Sequence, residues 1–529
     1  MALINFIDKI TTITASWLNL VDNFVNGSGT PPNARTAAEI AAGVTPTNFA
    51  YPPGHVFRYG ALGNGVANDT VAISNALLAA AAALNANQVG LGTATARVYL
   101  PSGNYITSAT LNRPAGVYIV GDGPEATSIT ANGNFPIIAT TGTSSNVLNR
   151  GGVQNMCLNG TWGANNANTN SIGISESWTN RSIHRDVRFH GCFQGFYGLA
   201  LWQVVWDNLQ ADGQGTQQNN VGFFLDQLPT TFPSGTSNSV KASGCVAQNV
   251  ATVGFQLKNP NGSFFVSCEA MNGVVGFDIG NTSAGCYPCQ FAQFVNCTSD
   301  TNSGNGWQIR QGNNASPCTY IQLANCWGST HGQNGFFLSG CAYINLCNLQ
   351  SGNNQQSAVV LSSCQYCEVT SSEFQQNNQS NVNNIGDIVI SGGSFNYISG
   401  NTSNMAFASS PSLLETNATN SNTIVDNRLF QSATIIGANT FAARNQGYRT
   451  ENIGVATILA ASTSIVVNHG LAITPALDSI LVTPQSTWGT TTAWWVSNPT
   501  STQFTINCNP APGGGGLEFN WRINLNKTY

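Results

Sequence analysis

The sequence predicts an all-β solenoid of stacked coils, a parallel β-helix. Two observations lead to it: a repeat of 22 to 32 residues and three independent markers that advance with that repeat. A chain of 529 residues exceeds what one compact core supports, so a repeating architecture or several domains are expected. Only 7% of residues are charged, against roughly 25% in ordinary soluble domains. With 42% hydrophobic residues and a net charge of −5, the chain is expected to fold.

The repeat extends from about residue 170 to 390 and carries three markers. The first marker is a glycine followed by a large apolar residue. The second and third markers are small residues at two further positions of the repeat, and they recur along with the first. The markers are Gly195-Phe196, Gly222-Phe223, Gly254-Phe255, Gly276-Phe277, Gly306-Trp307 and Gly335-Phe336, continued by Ala358-Val359 and Asp387-Ile388; Cys245, Cys268, Cys297 and Cys326; and Cys289, Cys318, Cys341 and Cys364 with Tyr320, Tyr343 and Tyr366. Each repeat is predicted to be one coil of three short strands, which buries its apolar face by stacking at about 4.8 Å on the next. Asn296, Asn325 and Asn348 suit turns in which side-chain amides bond along the axis.

Ahead of the repeat, three blocks predict a helix and a set of strands. Asn68 or Asp69 supplies an N-cap oxygen for a helix over 70–84. Strands, each followed by a turn, are expected from Val98 and from Val117. In this order the blocks resemble the N-terminal cap of the pectate-lyase-like superfamily, which is common in phage tailspikes. That family usually has aspartates where this chain has Asn64 and Asn68. The resemblance implies a right-handed parallel β-helix, assigned to residues 51–446, and a homotrimer.

The two ends differ from the repeat. Residues 1–50 contain a short amphipathic helix and a linker, and the segment 12–19 resembles the opening of podovirus tail proteins. This resemblance implies a virion-attachment segment that docks on phage tail, portal or adaptor proteins. Residues 447–529 alternate as a small β-sandwich and resemble C-terminal modules of phage tail fibres, which implies trimerisation or glycan binding. Trp488, Trp494 and Trp495 are either sugar platforms or buried and interface residues, and the second interpretation is favoured.

The fourteen cysteines allow two interpretations. Cys286-x-x-Cys289 and Cys364-x-x-Cys367 have the spacing of zinc knuckles, but the register places Cys289 and Cys364 three coils apart, roughly 14 Å. Zinc holds its sulfur ligands at about 2.3 Å, so one ion cannot join them. Core thiols in a protein made in the host cytoplasm are therefore expected, with no metal and no cofactor.

Several function classes are disfavoured. The weakly acidic composition argues against nucleic acid, and the longest apolar tract, 76–84, is too short for membrane insertion. The first eight residues lack the basic start and apolar run of a secretory signal. The five histidines form no His-Glu-x-x-His motif, and there is no Gly-x-Ser-x-Gly elbow or phosphate loop. Neither the acidic set of polygalacturonases nor the calcium and arginine cluster of pectate lyases can be placed.

The remaining candidate for catalysis is general acid–base chemistry by carboxylates. Glu269 follows its marker Cys268, and Asp300 lies three past Cys297, so adjacent coils place their α-carbons roughly 8 Å apart. Inverting glycosidases hold two carboxyl groups about 6.5 to 9.5 Å apart.

Asp278 is a third candidate. It alternates with inward residues and should point outward between Gln256 and Gln308, with Lys258 and Arg310 flanking it. The competing interpretation is that all three acids are solvated charges or turn caps. Trp327, one past Cys326, is the best predicted sugar platform, and Trp202 and Trp206 are further candidates.

Together these features predict a homotrimeric tailspike in the phage virion that binds a bacterial surface polysaccharide, a capsule or an O-antigen, and depolymerises it. Hydrolysis is favoured over lyase chemistry. The chief alternative is an adhesive spike that binds without cutting, and a free polysaccharide-degrading enzyme is a third interpretation.

Overall fold

The computed structural model describes residues 35–87, 95–228, 236–280, 288–311, 316–382, 385–418, 420–437, 439–485 and 487–525. The chain divides into two compact units, Met1–Asn220 and Val221–Tyr529. The predicted helix around Trp17 lies outside the described residues, so the virion-attachment segment stays a prediction. None of the helices in these ranges is long and apolar enough to cross a bilayer.

The first unit opens with a helical cap: α1 (Ala37–Ala41), a 3₁₀ turn (Val56–Tyr59) and α2 (Thr70–Asn87). The N-cap prediction for α2 is confirmed in Asn68, whose Oδ1 accepts the Thr70 amide at 3.1 Å. The Asp69 carboxylate instead turns back and accepts the amides of Leu62 and Gly63, at 2.7 and 3.2 Å. Asn68 therefore binds the start of α2, while Asp69 stabilises the preceding turn at Leu62 and Gly63.

The strands of the first unit pair in parallel. They are β1 (Asn64–Asn68), β2 (Ala96–Tyr99), β3 (Gly103–Thr107), β4 (Leu111–Asn112), β5 (Val117–Val120), β6 (Thr127–Ala131), β7 (Ile138–Thr141), β8 (Leu148–Asn149), β9 (Gly152–Asn159), β10 (Ile172–Asn180), β11 (Ile183–His190), β12 (Gln194–Trp202), β13 (Val205–Asp207) and β14 (Gln210–Ala211), before a 3₁₀ turn (Gly215–Gln217). Three series of strands pair neighbour to neighbour. The first is β2, β5, β9, β11 and β13, the second is β3, β6, β9, β11 and β14, and the third is β4, β7, β10 and β12.

A fully buried charge cluster lies inside this unit, and nothing in the sequence pattern pointed to it. Glu176 forms an ion pair with Arg113, lies 3.2 Å from Nε2 of His184, and accepts the Thr179 hydroxyl at 3.1 Å. Burial opposes ionisation, but His184 and Arg113 outweigh it and lower the pKa of Glu176 to about 2. The carboxylate is therefore held ionised in the interior.

The second unit is built of three-strand coils. Its parallel strands are β15 (Val221–Asp226), β16 (Ser237–Asn238), β17 (Lys241–Ser243), β18 (Val246–Gln248), β19 (Val253–Leu257), β20 (Pro260–Asn261), β21 (Phe264–Val266), β22 (Glu269–Met271), β23 (Val275–Ile279), β24 (Gln293–Val295), β25 (Thr298–Asp300), β26 (Trp307–Arg310), β27 (Gln322–Ala324), β28 (Trp327–Ser329), β29 (Phe336–Ser339), β30 (Asn345–Cys347), β31 (Gln350–Gly352), β32 (Val359–Gln365), β33 (Glu368–Thr370), β34 (Glu373–Gln375), β35 (Ile388–Ser394), β36 (Tyr397–Ser399), β37 (Thr402–Asn404), β38 (Leu413–Glu415), β39 (Thr423–Val425), β40 (Arg428–Leu429), β41 (Ala433–Thr434) and β42 (Phe441–Ala443).

These strands form three ladders that match the predicted coil. The first runs from β15 through β19 and β23 to β41, the second from β17 through β21 to β42, and the third from β18 through β22 and β25 to β40. The chain therefore folds as the predicted right-handed parallel β-helix.

The first ladder confirms the Gly-aromatic marker. Phe223, Phe255, Phe277, Trp307 and Phe336 are in register and fully buried. Their ring centroids lie 4.7, 4.7, 3.9 and 5.9 Å apart in that order. Like residues therefore stack on like along the interior, as the repeat requires.

The cysteine and asparagine markers are confirmed as well. Bridges join Gln290, Thr319, Ala342 and Gln365, each one residue after a third-marker cysteine, and those four cysteines are buried. Cys286 lies outside the described residues. Asn325 and Asn348 have φ values of 55° and 52°, and their side chains bond at 2.6 Å. Asparagine suits this left-handed position, and its amide joins one coil to the next.

After the coils, six antiparallel strands form two sheets that share a core, the predicted β-sandwich. β43 (Glu451–Ile458), β48 (Leu517–Asn524) and β45 (Ile480–Pro484) form one sheet, and β44 (Ser464–Asn468), β47 (Gln503–Asn509) and β46 (Ala493–Ser497) the other, with a 3₁₀ turn (Leu477–Ser479) between. The core includes Phe504, Phe519 and Trp521.

Candidate functional site

The outward side of the third ladder carries the candidate site, and we call its five central strands, β22, β25, β28, β31 and β34, the Trp327 face. Their middle residues point inward, so the flanking residues form two outward columns. One column is Glu269, Thr298, Trp327, Gln350 and Glu373, and the other is Met271, Asp300, Ser329, Gly352 and Gln375.

Trp327 is the exposed apolar centre of this face, with 47% of its surface accessible. Beside it lies an open pocket of about 310 Å³, lined by Trp327, Ser329, Gln350, Ser351, Gly352, Asn353, Glu373, Gln375 and Gln376. The lining combines an aromatic side chain with amides, hydroxyls and one carboxylate. Such a lining can stack on an apolar face of a ligand and hydrogen-bond its hydroxyl groups.

Gln350 and Glu373 were missed by sequence reasoning although the signal was present. They follow Trp327 at successive steps of 23 residues, the spacing of the cysteine marker in this stretch. The Glu373 carboxylate accepts a hydrogen bond from the Gln375 amide, so these two exposed side chains contact each other at the pocket wall.

Glu269 and Asp300 lie on this same face, on neighbouring strands. Glu269 is directly opposite Thr298, which places Asp300 two residues further along the adjacent strand. The two α-carbons are therefore separated by roughly 8 Å, as the repeat predicted. Both carboxyl groups are partly buried, and Oδ1 of Asp300 is enclosed without a hydrogen-bond partner among the described residues. An enclosed, unpartnered carboxylate oxygen is uncommon in a purely structural position.

Asp278 lies between Gln256 and Gln308 in register, but it is only 5% exposed. Arg310 grips both of its carboxylate oxygens, at 2.8 and 2.7 Å. Burial raises the pKa of Asp278 although Arg310 acts in the opposite direction. This geometry favours a structural ion pair.

Lys258 does not join Asp278 as predicted. Its ammonium binds Asp226 at 2.8 Å and lies 4.8 Å from the centre of the Phe224 ring. The predicted flank of Asp278 is therefore confirmed for Arg310, which binds the Asp278 carboxylate, and is wrong for Lys258, which binds Asp226.

The prediction of Trp206 as a sugar platform is wrong, because the residue is fully buried. It is the middle residue of its short strand β13 and points inward, where its ring packs 4.7 Å from that of Phe196. Trp202 is partly exposed at the end of β12 and lies 5.6 Å from the Trp178 ring. Both residues belong to the first unit, whereas the Trp327 face belongs to the second.

A second exposed aromatic feature follows the turns of the second unit. Phe291, Tyr320, Tyr343, Tyr366 and Phe395 are 43 to 57% exposed, and neighbouring ring centroids lie 4.9 to 5.2 Å apart. All five have positive φ, an uncommon backbone conformation for bulky residues. Because each ring covers the face of the next, only the ends of the row offer a free face.

His331, two residues after Ser329 of the Trp327 face, is buried. Burial lowers the pKa of His331 to about 4, and its Nδ1 accepts the Asn302 amide at 3.2 Å. Within the described ranges no group of three or more His, Cys, Asp or Glu residues is arranged to hold a metal ion. In the C-terminal sandwich Trp494 packs on Phe519, whereas Trp488 and Trp495 are 44 and 48% exposed.

Residues 55–168 match the family model described as rhamnogalacturonase A/epimerase, pectate lyase-like. No curated protein matches the chain. Among solved structures, it resembles the A-modules of two Azotobacter vinelandii mannuronan C-5 epimerases. AlgE4 is 19% identical over 74% of this chain and 99% of that one (TM-score 0.53), and AlgE6 is 20% identical over 74% and 98% (TM-score 0.51).

It also resembles tailspike protein 3 of bacteriophage CBA120, with 11% identity over 74% of this chain and 61% of that one and a TM-score of 0.52. At these identities the likeness concerns the fold. The chain is therefore similar in fold to these structures, and its residues 55–168 carry the pectate-lyase-like match that the N-terminal blocks predicted.

Proposed function

We propose that this protein is a phage tailspike that binds a bacterial surface polysaccharide along the Trp327 face. The observation that carries the proposal is the exposed Trp327 beside an open, amide-rich pocket. Sugar rings present apolar C–H faces and a rim of hydroxyl groups, which this combination of an aromatic side chain, glutamines and a serine can bind.

The repeating architecture suits a repeating ligand. Glu269, Thr298, Trp327, Gln350 and Glu373 occupy one straight column at about 4.8 Å intervals, a span of roughly 19 Å over four steps. A polymer lying along this column meets a side chain that can contact it at every step, so weak contacts at successive sugar residues add up. The low charge of the chain fits a neutral or mildly charged glycan.

Binding is tested with the whole protein on an array of bacterial capsular polysaccharides and O-antigens. Trp327→Ala is expected to weaken binding to the recognised glycan about two- to tenfold, since an aromatic contact contributes roughly 0.5–1.5 kcal/mol. Trp495→Ala is the matched control, because Trp495 is 48% exposed against 47% for Trp327 but lies in the sandwich. If Trp495→Ala lost binding and Trp327→Ala did not, the glycan site would lie in the sandwich, and its assignment to the Trp327 face would be refuted.

Cleavage of the bound polysaccharide is the second part of the proposal, and Glu269 and Asp300 are its proposed acid–base pair. With their α-carbons roughly 8 Å apart on neighbouring strands, the two side chains can bring their carboxyl groups to the separation used by inverting hydrolases, about 6.5 to 9.5 Å. One carboxyl would protonate the glycosidic oxygen while the other activates water. The adhesive spike remains the alternative function and uses the same face.

New reducing ends in the recognised polysaccharide, without ultraviolet absorbance from an unsaturated uronate, indicate hydrolysis. Glu269→Gln and Asp300→Asn are each expected to reduce turnover at least about hundredfold while binding persists. Glu368→Gln, at an exposed glutamate of the second ladder, is the control and should cleave normally. Unchanged turnover in both site variants would refute the pair, and intact binding with no reducing ends would support the adhesive function.

A further inference from the structure

A second constellation lies on the outward side of the first unit and has no part in the proposed polysaccharide site. Cys157 on β9, His190 at the end of β11 and Asp212 just after β14 come together there. His190 Nδ1 lies 3.7 Å from the Cys157 sulfur, and His190 Nε2 lies 2.8 Å from Oδ1 of Asp212. The order is nucleophile, base and orienting acid, the arrangement by which thiol and hydroxyl hydrolases activate their nucleophile.

Several contacts fix this arrangement. Arg188 binds the second oxygen of Asp212, with Nε at 3.1 Å, and also pairs with Glu125. The fully buried Asn219 donates to the Asp212 carbonyl at 3.0 Å and to the Phe189 carbonyl at 2.7 Å. The loop that carries Asp212 is therefore tied to β11, the strand that carries His190.

We propose that Cys157, His190 and Asp212 form a catalytic triad that hydrolyses small acyl esters of sugar hydroxyl groups. The side chains of His190 and Asp212 are 18 and 20% exposed, so the site reaches the surface. Cys157 itself is only 5% exposed, so the proposed substrates are restricted to the smallest acyl groups.

The surroundings of the triad favour a hydroxylated substrate. Cys157 is in register with Ser128 and Arg188, and Asn159 is in register with Thr130 and His190. Asn104 accepts the hydroxyls of Ser128 and Thr130, and Asn159 donates to Thr130 at 3.1 Å. The floor beside the thiol is therefore an uncharged network of hydroxyls and amides, with the Arg188 cation at its edge.

The reaction balances with water as the only co-reactant. The thiol proton passes to His190 Nδ1 as the sulfur bonds to the acyl carbon. The ester C–O bond then breaks, and the departing sugar oxygen takes that proton. Water next attacks the thioester and gives a proton to His190, the C–S bond breaks, and the imidazolium returns the proton to sulfur. A carboxylic acid and a free sugar hydroxyl are released.

Burial raises the pKa of the Cys157 thiol to about 12, with the nearby carboxylates adding to the shift and Arg188 opposing it. The resting nucleophile is therefore the neutral thiol. The Cys157 thiol lies 3.3 Å from the side-chain oxygen of Asn159, which accepts its hydrogen bond at rest, and 3.7 Å from His190 Nδ1. Proton removal must accompany the attack, and of these two groups His190 is the base.

The whole protein, incubated with p-nitrophenyl acetate, tests the proposal. The wild type is expected to release p-nitrophenolate and to carry a transient acetyl group on the peptide containing Cys157, seen by mass spectrometry after acid quenching. Cys157→Ala and His190→Gln should each lose at least about a hundredfold in rate. Cys347→Ala is the matched control, since that partly exposed thiol lies between Ala324 and Thr370 on the second unit.

Acetyl trapping is measured on the wild type, so a variant that fails to fold does not leave the proposal undecided. No acetyl group on the Cys157 peptide, or equal rates in Cys157→Ala and Cys347→Ala, would overturn it. Alkylation of Cys157 by iodoacetamide gives a second readout, and it should slow in His190→Gln relative to Cys347 in the same sample. The assay contains no polysaccharide, so its outcome does not depend on polysaccharide binding at the Trp327 face.

Discussion

Asp387 is a fully buried carboxyl group whose charge state should control the stability of the coils around it. Its Oδ1 accepts the Asn377 amide at 2.8 Å, and its Oδ2 accepts the Ser403 hydroxyl at 2.5 Å. Burial raises the pKa of Asp387 from 3.8 to about 6, and the two hydrogen bonds only partly oppose the shift. Asp387→Asn removes the charge and keeps the size. Its amide oxygen can accept from Asn377 while its nitrogen donates to Ser403.

Because the folded pKa is raised, the stabilising contribution of Asp387 is fully present below the unfolded pKa of 3.8 and is lost as the pH rises through about 6. The difference between these values corresponds to about 3 kcal/mol. At roughly 2.1 cal/mol/K of unfolding entropy per residue, this becomes about 3 °C in Tm for a chain of 529 residues. Asp387→Asn should therefore melt about 3 °C above the wild type at neutral pH and together with it near pH 4.

Scanning calorimetry at these two pH values and one scan rate is the assay. Asp426→Asn is the control, because Asp426 lies on the surface in an ion pair with Arg444, and its variant should show no such gain at neutral pH. The assignment of a buried, protonatable carboxyl group would be refuted by either of two results. One is a Tm of Asp387→Asn below that of the wild type at neutral pH, and the other is the same Tm difference between the two proteins at both pH values.

Two further substitutions test the interior. Phe277 stacks between Phe255 and Trp307, so Phe277→Ala should lose about 3–5 kcal/mol in denaturant unfolding, with Phe277→Leu losing clearly less. A loss below about 1 kcal/mol would contradict the stacked core. Glu176→Gln leaves the Arg113 cation buried without its counter-charge and should also lose about 3–5 kcal/mol near neutral pH. The lowered pKa of Glu176 means that its stabilisation is present above the unfolded value of 4.5 and is lost as the pH falls through about 2, so Glu176→Gln and the wild type should converge in strong acid.

Interior columns were the most predictable part of this protein. The Gly-aromatic, cysteine and asparagine markers predicted the coil and the register, because identical strands that stack every 4.8 Å or so must place equivalent residues above one another. Once the register is known, alternation assigns inward and outward sides. This reasoning placed Glu269 and Asp300 on adjacent coils and Trp327 one residue past its marker Cys326.

The contacts between outward-facing side chains were less predictable from the sequence. Lys258 had acidic residues within reach on both neighbouring coils, and it pairs with Asp226 rather than with Asp278. Long charged side chains choose among such partners by local packing and desolvation, which a linear pattern does not encode. Trp206 was misplaced because its short strand lies outside the regular markers, so its side could not be assigned.

The sequence by itself determined the solenoid, its cap and the identity of the residues in its interior rows, because these follow from periodic burial along one chain. That Cys157, His190 and Asp212 meet was decided by the tertiary structure alone. Cys157 and His190 are 33 residues apart in the sequence, and His190 and Asp212 are 22 residues apart. Their coils are irregular in length, so no repeat carries the correspondence. Stacking of the backbone, rather than any local motif, brings the three side chains together.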